Sequence, residues 1–346
     1  MVLCGAPARK TPLVQFSESQ KQMHEDDKGQ AKFFPMYVLA LRTFLQMAEI
    51  KTHEELRADG SVVEFDRNMG QAAFISHQWV GDNHPDPAFA QLRVLQKIFS
   101  AWTTKPAYIS ADVVSAMVFP FVKGISSEEV FSTPLFIWYD FFSCPQASNR
   151  GEELVKAIDS IAAYVAASRF FFVLAPIVKS PDETKLFTPA TWKDRGWCRF
   201  ERLVRELSMN QSYFVVRSEF SVDLNVSPLT SFGGPPGEGV FTIPEDRARL
   251  APVLRDTLKR TLMSCLRAGH LVRYRALLNL QTVYLRGFQA EPLADIVPGF
   301  KPLLGADAES NLVAKYLYQN GFTSVSSVDA AGCSPLCYAA MNGDPV

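Results

Sequence analysis

Four short apolar runs constrain the fold of this chain more than any other feature. A strand with one face in water alternates apolar and polar residues, whereas these runs show little alternation. We therefore predict strands that are buried on both faces at AAFIS (72–76), LFIWYDFF (135–142), FFFVLAP (170–176) and SYFVVRS (212–218).

Segments with helical periodicity separate these runs, namely PAFAQLRVLQKIFSAW, EELVKAIDSIAAYVAAS and WCRFERLVRELSM. Strands that alternate with helices along a chain are typical of a parallel sheet covered by helices, because parallel neighbours need a long crossover connection. The sequence therefore predicts an α/β fold, a parallel sheet flanked by helices, over residues 71–218.

The rest of the chain predicts smaller parts. Residues 1–30 are polar and mixed and predict a mobile tail. Residues 31–70 predict a helical lead-in, ending in a short capped helix that closes on Gly60. Residues 219–300 predict a Gly/Pro loop and then a helical linker of one or two helices, broken near Gly269.

Composition narrows the class of partner and the compartment. Lys and Arg number 35 against 36 Asp and Glu, a net charge of -1, which gives no reason to expect nucleic acid as a partner. The six cysteines lack a framework spacing and the first residues lack an apolar leader, so we expect a reducing, cytoplasmic location. The apolar stretch Ile161 to Val178 contains Arg169, which predicts a buried helix followed by a strand rather than a membrane span.

Polar residues follow the predicted strands at the point where each strand ends. In an open α/β sheet, ligands bind outside the carboxyl ends of the strands, where the loops converge. This rule gathers a candidate pocket from three places in the chain: Ser76, His77 and Trp79 after the first run, Asp140 in the second, and Trp197 and Glu201 beyond the third.

The segments FISHQW, IWYDFFSCPQ, FFFVLAP and GWCRFERL come in an order and approximate spacing that resembles the Toll/interleukin-1 receptor (TIR) domain. The resemblance covers residues 71–218 and implies a flavodoxin-like parallel sheet flanked by helices. The chain is also similar to a group of protist proteins that join a SHQW...HPDP segment to ankyrin repeats.

The TIR resemblance implies a chemistry as well. Many TIR domains cleave NAD at the nicotinamide–ribose bond with a helix glutamate, which here corresponds to Glu201 as the catalytic residue. Trp197 matches the aromatic residue before it and Asp140 the end of the second strand. Ser76, His77 and Trp79, which the rule on strand ends gathers, complete the substrate-binding set. NAD is then a substrate, with no resident cofactor and no metal. A carboxylate suits this reaction because glycosidic cleavage passes through an oxocarbenium-like state.

The sequence also departs from the TIR pattern. After FIS the family often continues with Arg-Gly-Asp or a similar loop, whereas this chain has HQWVGDNHPDP. About 30 residues between Trp102 and Pro134 form an insertion, which we interpret as a lid or a packing arm.

The C-terminal segment resembles an ankyrin repeat junction. LVAKYLYQNGF stands where one repeat ends in Gly, and DAAGCSPLCYAAMNGD follows the repeat pattern with Ser334 for Thr and Cys337 for His. Residues 301–346 therefore resemble truncated ankyrin repeats, with further repeats expected because such units need neighbours. The resemblance implies binding of a protein partner.

Other interpretations of the same residues remain open. One takes Glu201 as a solvated helix residue paired with Arg205, and Trp197 as a core residue. Asp140 either caps the next turn or faces the pocket. A thiol hydrolase built from Cys198 and His77 is a further alternative, and we expect His84 to organise a turn. At the level of function, an intracellular NAD-hydrolysing signalling enzyme, with self-association of its TIR-like domain, stands against a non-enzymatic adaptor that uses the same fold and the ankyrin repeats for protein–protein interaction.

Overall fold

The structure, a computed structural model, describes residues 10–22, 32–119, 122–147, 151–208, 210–226 and 234–342. The chain divides into two compact units. One is Gly29–Leu254; the other combines Met1–Lys28 with Arg255–Val346.

The strands lie in the first unit: β1 (Tyr37–Ala40), β2 (Val62–Glu64), β3 (Gln71–His77), β4 (Tyr108–Ile109), β5 (Ile125–Ser126), β6 (Leu135–Trp138), β7 (Phe170–Leu174), β8 (Val178–Lys179), β9 (Leu186–Phe187), β10 (Ser212–Ser218) and β11 (Ser221–Val226). The helices, in chain order, are α1 (Pro12–Gln22), α2 (Leu41–Gln46), α3 (His53–Ala58), α4 (Ala90–Thr104), α5 (Val113–Val118), α6 (Ser127–Val130), α7 (Asp140–Ser143), α8 (Gly151–Asp159), α9 (Ile161–Ala167), α10 (Pro189–Asp194), α11 (Gly196–Leu207), α12 (Glu245–Ala268), α13 (Leu271–Asn279), α14 (Gln281–Leu285), α15 (Ala308–Asn320) and α16 (Pro335–Asn342).

A seven-stranded sheet organises the first unit, in the order β11-β10-β7-β3-β6-β1-β2. The four strands predicted from the apolar runs, β3, β6, β7 and β10, are adjacent and parallel. Numbered along the chain, these four stand in the order 2-1-3-4. β1, β2 and β11 add antiparallel strands at the two edges. The prediction of an α/β fold with a parallel central sheet flanked by helices is confirmed.

Aromatic side chains pack both faces of the central strands. On one face Phe74 of β3 stacks on Trp138 of β6, with ring centroids 4.2 Å apart, and Tyr164 of α9 covers the indole at 5.6 Å. On the other face Phe172 of β7 meets Phe99 of α4 at 5.3 Å. Successive strand residues point to opposite faces, so a sheet covered twice requires the unbroken apolar runs that the sequence shows.

The first seventy residues differ from the prediction. The helical lead-in proposed for residues 31–70 contains two strands, β1 and β2, with only short helices beside them. Val38 and Leu39 of β1 are both fully buried, because β1 pairs with β6 and β2. A four-residue apolar run does not distinguish strand from helix by periodicity. The short helix predicted before Gly60 is confirmed as α3, with a Thr52 capping box.

Three other segments also differ from expectation. The predicted tail, residues 1–30, contains α1 at Pro12–Gln22, while residues 1–9 and 23–30 lie outside the described part. The second apolar run ends as a strand at Trp138, since Asp140 begins α7. The predicted Gly/Pro loop after residue 218 begins instead with β11, and residues 227–233 are outside the described part.

The insertion between Trp102 and Pro134 packs against the sheet edge as an arm. Its backbone exchanges hydrogen bonds with β11, from Asp112 N to Leu224 O at 2.8 Å and from Leu224 N to Ser110 O at 2.9 Å. An uncovered edge strand offers unpaired backbone groups to other chains, and this arm pairs both backbone groups of Leu224 in β11.

The second unit is helical. Gly269 separates α12 from α13 with a φ of +72°, which confirms the predicted break, and three helices rather than two occupy the linker. Asp329 organises the loop before α16, because its carboxylate accepts from Tyr338 at 2.7 Å and pairs with Arg275 at 3.0 Å. In the part of the chain that the structure describes, no helix has both the length and the apolar character needed to cross a membrane.

A candidate active site at the carboxyl edge of the sheet

The SHQW...HPDP segment forms a loop that is closed by hydrogen bonds between its own residues. Val80 N donates to Pro85 O at 2.9 Å, and Asp86 N donates to Nδ1 of His84 at 3.1 Å. The buried carboxylate of Asp86 then caps α4, accepting from Ala90 N at 2.8 Å and from two further backbone amides. His84 organises a turn, as predicted, and the loop holds a fixed shape beyond β3.

Asp140 is held by side chains from this loop and from β3. Nε2 of His77 lies 2.8 Å from Oδ1, and the indole N–H of Trp79 donates to Oδ2 at 2.8 Å. The backbone N–H of Phe141 also donates to Oδ1, at 2.6 Å. Burial by itself would raise the pKa of Asp140, but the attraction of His77 and these hydrogen bonds outweigh it and lower the pKa. The carboxylate is therefore ionised at neutral pH.

The ring of Tyr139 packs against the imidazole of His77. The two rings stack with centroids 4.0 Å apart and planes 10° from parallel, and the phenol oxygen lies 3.2 Å from Nδ1. Tyr139 is fully buried, and burial, followed by the charges of Asp140 and Asp86, raises its pKa well above the ordinary value. The phenol therefore stays protonated.

Glu201 points into the same region from α11. It is only 9 % exposed, and burial raises its pKa to about 8, with a further increase from the charge of Asp140 and a decrease from the Ser76 hydroxyl. The interpretation as a solvated pair with Arg205 is wrong, because the Arg205 guanidinium donates instead to three backbone carbonyls, those of Ser168, Arg169 and Ser212. Glu201 is a buried acid without a counter-charge among the described ion pairs.

Ser76 and Cys198 complete the surroundings of Glu201. The Ser76 hydroxyl is fully buried and has no hydrogen-bond partner of standard geometry, yet it lowers the pKa of both Glu201 and Cys198. The Cys198 thiol donates to the backbone carbonyl of His77 at 3.3 Å. Burial raises the thiol pKa well above its ordinary value. The imidazole faces Asp140 instead of this thiol, so the hydrolase built from Cys198 and His77 is wrong.

Trp197 occupies a different environment. Its indole N–H donates to Asp246 at 2.8 Å, at the start of α12, and its ring meets Phe200 edge-on at 6.1 Å. No described contact joins it to the Asp140 cluster. The structure thus brings together Ser76, His77, Trp79, Asp140 and Glu201, and sets Trp197 beside Asp246.

The sequence missed two residues of this site. Tyr139 stands directly before Asp140, and its contact with His77 arises because β3 and β6 are parallel neighbours. Asp86 was part of the quoted HPDP motif, and its carboxylate caps α4 from four residues before the helix, a spacing that the usual capping signal immediately before a helix does not cover. Among the described residues, no group of three or more His, Cys, Asp or Glu side chains could bind a metal ion.

A separate concavity of about 300 Å³ lies at the opposite end of the central strands, near residues that precede β3. Its lining includes Met36, Phe65, Asp66, Asn68 and Tyr164. It shares no residue with the Asp140 cluster.

No protein-family model, curated protein or solved structure matches the chain. The chain has an α/β unit in which an ionised carboxyl group, Asp140, lies near a mostly protonated one, Glu201, at the carboxyl edge of a parallel sheet.

Proposed function

We propose that the α/β unit is a TIR-like enzyme that hydrolyses the N-glycosidic bond of NAD or a related nucleotide, with Glu201 as its catalytic carboxyl group. The observation that carries this proposal is the buried Glu201 carboxyl beside Ser76 and Asp140. The strand order 2-1-3-4 supports it, because the flavodoxin-like order begins in the same way and binds ligands at this edge.

The chemistry requires a negative charge next to the ribose. As the bond between C1′ and the nicotinamide nitrogen breaks, its electron pair leaves with nicotinamide and positive charge develops on the ribose. Glu201 stabilises that charge in its ionised form, and water then bonds to C1′ and releases a proton. Without substrate Glu201 is mostly protonated at neutral pH, and the cationic pyridinium ring of NAD favours its ionisation.

Asp140 and Trp79 bind the substrate in this proposal. The Asp140 side chain is 31 % exposed and ionised, which suits it to accept a hydrogen bond from a ribose hydroxyl. The Trp79 indole is fixed by its hydrogen bond to the same carboxylate and offers an aromatic surface beside it.

Nicotinamide release from NAD by the purified full chain tests the proposal, at dilute and at high protein concentration. We expect release by the wild type, and its loss in Glu201→Gln, which keeps the shape of the side chain and removes its acidity. Glu129→Gln makes the same change on an exposed residue of α6 and should retain full activity. A wild type that releases no nicotinamide at any concentration contradicts the proposal.

A second candidate is the non-enzymatic adaptor, which one specific observation favours. The arm helix α5 exposes apolar side chains, with Val113 at 74 % and Met117 at 77 % exposure. Such residues are typical of protein contacts. If α5 mediates self-association, the double variant Val113→Asp, Met117→Asp stays monomeric at concentrations where the wild type sediments as a larger species. An adaptor also leaves NAD intact.

In both candidates the protein acts inside the cell in signalling. The described cysteines are all free, which suits a reducing compartment such as the cytoplasm. The ankyrin-like helices α15 and α16 then bind a protein partner.

A further inference from the structure

Two cysteines stand close together at the start of α16. Cys333 lies in the loop before the helix, and Cys337 is the third residue of the helix. Asp329 holds this loop, because its carboxylate accepts from Cys333 N at 3.1 Å and its backbone N–H donates to Cys333 O at 3.0 Å. A side chain placed just before a helix often packs against the first turn of that helix. The Cys333 thiol is accordingly one of the hydrogen-bond partners of the Cys337 thiol.

Cys337 differs from the buried cysteines of the chain. It is exposed, and its sulfur lies 3.4 Å from the Ser334 hydroxyl. Hydrogen bonds from the side chain and backbone of Ser334, with a smaller contribution from the Cys333 thiol, lower the pKa of Cys337. Burial instead raises the pKa of three other cysteines, Cys144, Cys198 and Cys265. The thiolate is the nucleophilic form of cysteine, so an exposed thiol with a stabilised thiolate is the one that oxidants reach and attack.

We propose that Cys337 and Cys333 form an oxidation site for hydrogen peroxide, in which Cys337 is the attacking thiol and Cys333 resolves it as a disulfide. The Cys337 sulfur bonds to one peroxide oxygen, the O–O bond breaks, and the other oxygen leaves as water, which gives a sulfenic acid. The Cys333 sulfur then bonds to the Cys337 sulfur, and the S–O bond breaks with release of a second water. Two thiols are oxidised to one disulfide, while one peroxide is reduced to two waters. Ser334 promotes the first step by stabilising the Cys337 thiolate.

Mass spectrometry of the full chain treated with hydrogen peroxide tests this site. After oxidation the remaining thiols are blocked with N-ethylmaleimide and the chain is digested with trypsin. No Lys or Arg follows Lys315 in the sequence, so both cysteines fall in one peptide, 316–346, which has no other cysteine. We expect this peptide to lose two hydrogens and to take up no maleimide, at peroxide doses that leave the three buried cysteines reduced. A peptide that still carries two maleimides at those doses, or one oxidised no faster than the buried cysteines, contradicts the proposal.

Single substitutions assign the roles of the two thiols. In Cys333→Ser the reaction should stop at the sulfenic acid of Cys337, which dimedone traps as an adduct on the same peptide. In Cys337→Ser we expect neither a disulfide nor a dimedone adduct on Cys333. A dimedone adduct on Cys333 in that variant, formed as fast as the one on Cys337, overturns the assignment of Cys337 as the attacking thiol.

The hydroxyl of Ser334 is tested by the rate of oxidation. Ser334→Ala should slow formation of the disulfide several-fold, whereas Ser334→Thr keeps a hydroxyl and should restore the rate. Ser326→Ala is the matched control, because Ser326 is an exposed serine of the preceding loop whose hydroxyl contacts that of Ser324. Equal rates in Ser334→Ala and in this control contradict a role for the hydroxyl. These assays contain no NAD, so their failure leaves the proposal of NAD hydrolysis standing, and the reverse also holds.

Discussion

Replacing Glu201 with Gln should change how the stability of the α/β unit depends on pH. The pKa of Glu201 is raised from its ordinary value of 4.5 to about 8 in the folded state. Between these two values the folded chain holds a proton that the unfolded chain has released. The free energy of unfolding contributed by this group is therefore fully present below pH 4.5, falls as the pH rises, and levels off above pH 8.

The size of this effect follows from the two pKa values. The interval between 4.5 and about 8 corresponds to about 5 kcal/mol in total. Proton linkage over the range from pH 5 to pH 7 gives a loss of about 2.5 kcal/mol for the wild type. Gln does not titrate, so Glu201→Gln lacks this contribution while other groups titrate similarly in both proteins.

Urea unfolding followed by tryptophan fluorescence measures the difference. All five tryptophans lie between residues 79 and 197, so their signal reports on the α/β unit. For a slope of about 2–3 kcal/mol per molar urea, the wild-type midpoint should fall by roughly 1 M relative to Glu201→Gln between pH 5 and pH 7. Glu129→Gln should follow the wild type. Midpoints of wild type and Glu201→Gln that change in parallel with pH refute the inference that Glu201 is a buried acid.

Three further substitutions probe other contacts. Asp140→Asn should destabilise the unit at neutral pH, and the wild-type advantage should fade as the pH falls below about 4, because a lowered pKa gives stability that is lost in acid; urea midpoints from pH 3 to pH 7 measure it. Trp197→Phe should lower stability by about 1 kcal/mol through loss of the bond to Asp246. It should leave nicotinamide release at the wild-type rate, and a large loss of release would put Trp197 in the site. Gly70→Ala should lower the melting temperature of the unit, since its φ is +147° and a Cβ there would overlap the carbonyl oxygen of Pro134; an unchanged melting curve would contradict the backbone described at this turn.

The central sheet could be predicted from the sequence because its signal is local. Each apolar run is buried on both faces, and parallel strands end at the same edge, which is why Ser76, His77 and Asp140 come together. The strand β1 could not be predicted in this way. Its four residues match a helix equally well, and its burial comes from pairing with β6, almost 100 residues further along the chain.

The contacts of the α11 side chains could not be predicted from the neighbouring sequence either. A glutamate four residues before an arginine predicts a surface ion pair. The carbonyls that bind Arg205 come from the end of α9 and the start of β10, so they are supplied by the folded sheet rather than by the helix. The hydrogen bond from Trp197 to Asp246 could not be predicted for the same reason. Asp246 is 49 residues away, and no sequence pattern near either residue indicates the contact.

The two carboxyl groups of the site differ in protonation because they differ in what surrounds them. Asp140 has three N–H donors and a partly exposed side chain, so its charge is satisfied and its pKa falls. Glu201 is buried near the negative charge of Asp140, and only the Ser76 hydroxyl favours its ionised form. Its pKa therefore rises. Carboxyl groups whose pKa values are driven apart are typical of acid–base and glycoside chemistry, where each group has its own role. A purely structural role would not explain the cost of leaving an acid buried beside another carboxylate, since an amide would fit the same space without that cost.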